Sequence, residues 1–212
     1  MKGLLLNEFY SAVGNIKLFL FIALAAALSL IITGSPTAQE LFVYITITAL
    51  SVNAVVSFRK DAVSKWDKYE ITMPVHRKDI VRSKYLSYLF WLLFGTLLAL
   101  TVTILASVIH KTTTWLPGTG TLPSMFTLGI GISLLTGALF YPLSYLFGIE
   151  KSETILIISI ITAILLSIVT LNILNHYLPS FPTRMTVFIL LYTASFALSY
   201  KITLSLYLKK EF

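Results

Sequence analysis

The sequence predicts an all-α membrane protein. It would have six transmembrane helices, an N-terminal interfacial helix and a further cytoplasmic helix between spans 2 and 3. Composition is the first observation behind this. The chain is 57% hydrophobic and 12% charged, whereas a soluble domain carries about 25% charged residues. The second is a set of six long apolar runs, at residues 16–33, 41–58, 85–109, 126–147, 154–174 and 185–208. Each has about the length an α-helix needs to cross a ~30 Å hydrocarbon core at ~1.5 Å per residue. The third is charge placement, since lysine and arginine crowd at the ends of the runs. These runs take up most of residues 1–212, so a single membrane domain is expected.

Residues 1–15 are expected to form a short amphipathic helix lying in the interface. Leu5, Phe9 and Val13 recur at helical spacing and make an apolar row. Asn7, Ser11 and Asn15 make a polar row, and Gly14 allows a bend before span 1. The plain alternative is an extension of span 1. Lys17 abuts the apolar run and no short-residue cleavage motif follows it, so the run reads as a retained span.

The spans set the topology. With six of them, 14 of the 16 Lys and Arg residues fall on one side, leaving Lys111 and Arg184 on the other. The positive-inside rule then puts both termini in the cytoplasm. The net charge of +7 is topological on this reading and does not point to nucleic acid. The outer connections are rich in Thr, Pro, Gly and Ser and read as loops. The two halves of the chain show no visible repeat, which argues against an inverted-repeat carrier.

Within the spans polar groups are few. Asn53 and Asn172 are expected to hydrogen-bond between helices. Gly129, Gly131 and Gly137 would let helices approach closely, Pro142 would kink span 4, and Lys201 would snorkel toward the cytoplasmic interface. His76, His110 and His176 fall between the apolar runs and on different sides. No Asp or Glu lies deep in a run and there is no cysteine. A proton relay, a thiolate metal site and a hydrolase triad all lack their residues.

The segment 59–84 is the most informative stretch outside the runs. Ala62, Trp66, Tyr69 and Met73 fall on one helical stripe, with Asp61, Lys65, Asp67 and Lys68 off it. Pro74 should end that helix. A second short helix over residues 76–84 would then lead into span 3. Aromatics on one stripe and mixed charge outside suit a docking element. A solvated hairpin that only orients the protein suits the pattern as well.

The stretch Lys65-Trp-Asp-Lys-Tyr-Glu-Ile-Thr-Met-Pro-Val-His-Arg-Lys-Asp-Ile-Val-Arg-Ser-Lys-Tyr-Leu86 resembles the loop between the second and third spans of bacterial ABC type-2 transporter permeases. The opening Met-Lys-Gly-Leu-Leu-Leu-Asn-Glu-Phe-Tyr10 is similar to their start, and the layout matches over the whole chain. His76 departs from the serine frequent at that place, which weakens an N-cap. The resemblance implies a coupling helix that enters a cleft of a separate ATP-binding subunit. Trp66, Tyr69 and Glu70 would make the contact, flanked by Ala62 and Met73. Arg77 and Lys84 would hold the loop near the lipid headgroups. It also implies a second permease copy or paralogue and a bacterial cytoplasmic membrane.

The chain has no Gly-x-x-x-x-Gly-Lys-Ser/Thr loop. ATP and magnesium would therefore sit on the partner ATPase, with no cofactor held by this chain. The nearest resemblance is to small permeases that export phenol-soluble modulins or confer immunity to antimicrobial peptides, which implies amphipathic peptide cargo. The alternative from another class is a membrane sensor or assembly module that docks a soluble partner without moving cargo.

Overall fold

A computed structural model describes residues 2–14, 16–64, 76–110, 121–178 and 180–209. Among these, every regular element is helical. They are α1 (Lys2–Val13), α2 (Ile16–Thr33), α3 (Pro36–Ser64), α4 (Arg77–His110), α5 (Thr121–Phe147), α6 (Ser152–Tyr177) and α7 (Phe181–Lys209), with a 3-10 turn at Ile149–Lys151 before α6. The six helices α2 to α7 are long and apolar enough to cross a membrane.

Local chemistry sets several helix ends. Gly34 closes α2 in the left-handed region, at φ 56°, and its N–H reaches the Leu30 carbonyl at 2.9 Å. A side chain there would also meet the His110 ring at 2.7 Å, so only glycine satisfies both demands. Two residues on, α3 begins. Ser35 Oγ accepts from the Ala38 N–H at 3.3 Å, and Pro36 takes the first helical position, where its missing N–H costs nothing. At the start of α4, Asp79 complements the helix dipole.

Two helices run past their apolar stretches. The backbone of α3 continues to Ser64, so residues 61–64 extend span 2 without opening a new element. Residues 77–84 are the first turns of α4, so the separate short helix expected before span 3 is absent. Hydropathy marks where lipid ends, whereas backbone hydrogen bonding carries a helix on into the interface.

The bundle is layered. In their most apolar windows α5 is 61% buried and α3 56% buried, whereas α2 and α6 are 17% and 22% buried. Thus α3 and α5 form the centre, and α2 and α6 lie at the periphery. Gly137 lets Tyr88 of α4 and Phe196 of α7 close against α5, since a Cβ there would sit 2.7 Å and 3.0 Å from their rings. Gly131 plays the same part toward Phe188.

Pro142 lies within α5, which continues through it. Proline has no N–H, so the Ala138 carbonyl one turn back loses its helical partner. Ser199 of α7 replaces that bond, its Oγ donating to the Ala138 oxygen at 2.7 Å. With the serine proton committed there, Tyr85 Oη donates to Ser199 Oγ and accepts from Thr203 Oγ1, both at 2.8 Å. Three helices are thereby tied at the one place where the central helix is broken.

Candidate functional site

Cations and the N-terminal helix gather at one end of the bundle. Arg77, at the start of α4, is half-buried, and its Nη1 donates to the Leu208 carbonyl of α7 at 3.4 Å. Ala62 belongs to the last turns of α3. The other proposed contact residues, Trp66, Tyr69, Glu70 and Met73, lie outside the described residues.

Lys84 departs from the expectation that it reaches the headgroups. It is buried, and its Nζ sits 2.8 Å from Glu8 Oε1 of α1, with the two side chains 5% and 4% exposed. The carboxylate comes from 76 residues away, so nothing near Lys84 in the sequence announces it. The Lys84 carbonyl also accepts from Tyr141 Oη at 3.1 Å, and the Tyr141 ring stacks on Tyr85 with centroids 4.4 Å apart. The pair therefore sits where α1, α4 and α5 meet.

Further contacts dock α1 onto the bundle. Its inward row is Leu4, Glu8 and Ala12, all buried and one residue out of step with the apolar row read from sequence. Leu5 is half-buried, whereas Phe9 and Val13 are exposed. Phe9 stacks on Trp91 at 5.8 Å and meets Phe90 edge-on at 5.5 Å. At the other end of α1, Lys60 of α3 donates to the Ser11 carbonyl at 3.0 Å. Glu8 and its partner are the functional candidates that sequence reasoning missed. The available signal was an acid at the centre of an i, i+4 row of small and apolar residues, Leu4, Glu8 and Ala12.

Two intramembrane expectations fail. Asn172 is exposed on α6 and Asn53, although fully buried, has neither side-chain amide atom hydrogen-bonded. Neither makes the expected interhelical bond. Lys201 is exposed on α7. The histidines sit at helix ends and not in open loops. His110 is the last residue of α4, where its Nε2 meets the Ile31 carbonyl at 3.0 Å, and His176 lies in the last turn of α6.

A second feature lies away from the charged end. An apolar groove of about 580 Å³ opens sideways between α3 and α6, with α5 as its floor. Leu41, Tyr44 and Thr48 line it from α3, Leu128 and Ile132 from α5, and Ile164 from α6. The Ser167 hydroxyl at its wall is already bonded to Ala163 of its own helix at 2.7 Å, so the wall offers that proton to no ligand. The lining residues run from the first turns of α3 to its middle, so the groove occupies the half of the bundle opposite the termini.

Six apolar helices, and termini on one shared charged end, define a multi-pass membrane protein of transporter type. The family model described as ABC-2 family transporter protein matches residues 3–208, and the chain belongs to that family. It is thus the membrane component of an ABC transporter, a class in which a separate subunit hydrolyses ATP. Neither the curated proteins nor the solved structures provide a match.

Proposed function

We propose that this chain is the transmembrane subunit of an ATP-driven exporter that moves amphipathic peptides out of the cytoplasm or the inner leaflet. A partner ATPase binds ATP and magnesium and docks on the charged end through the stripe Ala62, Trp66, Tyr69 and Met73, with Glu70 and Arg77 beside it. That end faces the cytoplasm of a bacterium, and a second permease copy or paralogue completes the path. ATP closes the ATPase dimer, and the motion reaches spans 2 and 3 through residues 65–75.

The single observation that carries the cargo reading is the lateral groove. It opens toward the hydrocarbon region and its wall is almost wholly apolar. A sugar or an ion would lose its hydration there without replacement bonds. An amphipathic helix would seat its apolar face, gaining ~0.8 kcal/mol per buried methylene, and keep its polar face at the interface. On the proposed topology the groove lies in the outer half of the membrane, where it serves departure of cargo.

Genetic deletion tests the reading in cells. Removing the permease together with its ATPase should leave cells retaining amphipathic helical peptides or sensitised to them. Unchanged retention and unchanged sensitivity would remove this cargo class.

A further inference from the structure

We propose that Glu8 and Lys84 are positioning residues for energy coupling: their buried pair makes α1 a rigid bridge that holds the two helix ends flanking residues 65–75 in fixed register through the ATP cycle. This rests on the reading of the chain as an ABC permease driven by a separate ATPase.

The argument starts from burial. A carboxylate and an ammonium removed from water each need the other, and a buried pair fixes geometry more than it adds stability. This pair is 2.8 Å apart and almost fully covered, although an N-terminal helix resting on a membrane surface needs no buried charge at all. Its place in the fold is specific. Residues 65–75 have two flanks, the end of α3 and the start of α4. One flank reaches α1 through Lys60 and the Ser11 carbonyl, and the other through Lys84 and Glu8. Thus α1 spans both arms of the proposed docking segment.

The far side of the bridge is equally defined. The Lys84 carbonyl is held by Tyr141 of α5, the most buried helix, and Phe9 is stacked on Trp91 a further two turns along α4. A push on either flank is therefore shared by α3, α4 and the central helix and cannot be dissipated by the flanks spreading apart. Packed elements with such links move as units.

The native chain lacks cysteine, which permits a direct test. Ser11→Cys and Lys60→Cys are joined by a short thiol linker carrying a cleavable disulfide, in permease reconstituted with its ATPase. A bridge of fixed register tolerates the link, so linked and cleaved protein should turn over ATP and move amphipathic peptide equally. Arrest on linking, relieved by cleavage, would overturn the proposal, because α1 would then move against α3.

The second arm severs the pair. Glu8→Gln keeps the shape of the side chain and removes the charge. At equal membrane abundance and equal ATPase co-purification, it should lower peptide moved per ATP by about tenfold or more. Glu8→Lys with Lys84→Glu should restore most of that loss. An unchanged ratio in Glu8→Gln would overturn the proposal, as would a fall in turnover explained wholly by lower abundance. Failure of the underlying reading looks different, since the native chain itself would then neither bind an ATPase nor stimulate it.

Discussion

Single residues in this bundle act through carbonyls as much as through side-chain packing. Pro142 strips the Ala138 oxygen of its helical partner, and Ser199 supplies a replacement from another helix. Ser199→Ala would leave that oxygen buried without a donor, and Tyr85 would lose an acceptor. The cost of such a stranded group is about 1–3 kcal/mol. Thermal unfolding in detergent should therefore shift down for Ser199→Ala. Ser195→Ala is the control, because its hydroxyl bonds only back to Tyr192 of its own helix and its loss should be near neutral. Equal shifts in both variants would show that the Ala138 carbonyl is satisfied by other means. The proline was legible in the sequence, and so was the expected disturbance of span 4. Its remedy was not, because 61 residues separate Ser199 from Ala138 and a serine on an apolar helix looks like any other. Asn53 shows the converse. An intramembrane asparagine suggests a hydrogen bond, yet this one is buried with its amide atoms unbonded.

At the scale of elements, the six spans were readable because hydrocarbon thickness imposes their length and their apolar character. The first turns of α4 were less so. Arg77, Lys78, Asp79, Arg82 and Lys84 interrupt the apolar pattern, and helix continuity there follows from backbone bonding that hydropathy does not record. The N-terminal helix was readable as a helix but not in its orientation. Leu5, Phe9 and Val13 are as apolar as the inward row, and the burial of Glu8 depends on a lysine supplied by α4. The docking stripe belongs to this scale too. If the Ala62, Trp66, Tyr69 and Met73 row enters an ATPase cleft, Trp66 is its anchor. Truncating a buried interfacial aromatic costs ~2 kcal/mol or more. Trp66→Ala with Tyr69→Ala should leave membrane insertion intact and weaken co-purification of the ATPase by about thirtyfold or more. Undiminished binding together with undiminished export in that double variant would take the stripe out of the mechanism.

The whole molecule divides into two ends with different chemistry. One gathers the termini, most of the cations and the α1 bridge; the other carries the short α2–α3 turn, His110 and the half of the bundle that holds the groove. Which end faces the cytoplasm is a separate question from how the chain folds, and it has its own measurement. Single cysteines at Ser64 and Thr119 can be probed with a membrane-impermeant thiol reagent on whole cells. The positive-inside reading predicts labelling of Thr119→Cys alone, whereas labelling of Ser64→Cys alone would invert the protein. Burial also differs between the ends of this ledger of helices: α2 and α6 leave large apolar faces uncovered, including Phe21, Ile32, Ile161 and Leu165. Lipid can solvate such faces without any partner, so they leave the identity of the cargo to the groove. That identity decides the account. Permease reconstituted with its ATPase should hydrolyse ATP faster when amphipathic helical peptides are added. Scrambled peptides of equal composition and low helical amphipathicity should stimulate less. Equal stimulation by both, or none by either, would contradict export of amphipathic peptides by this chain.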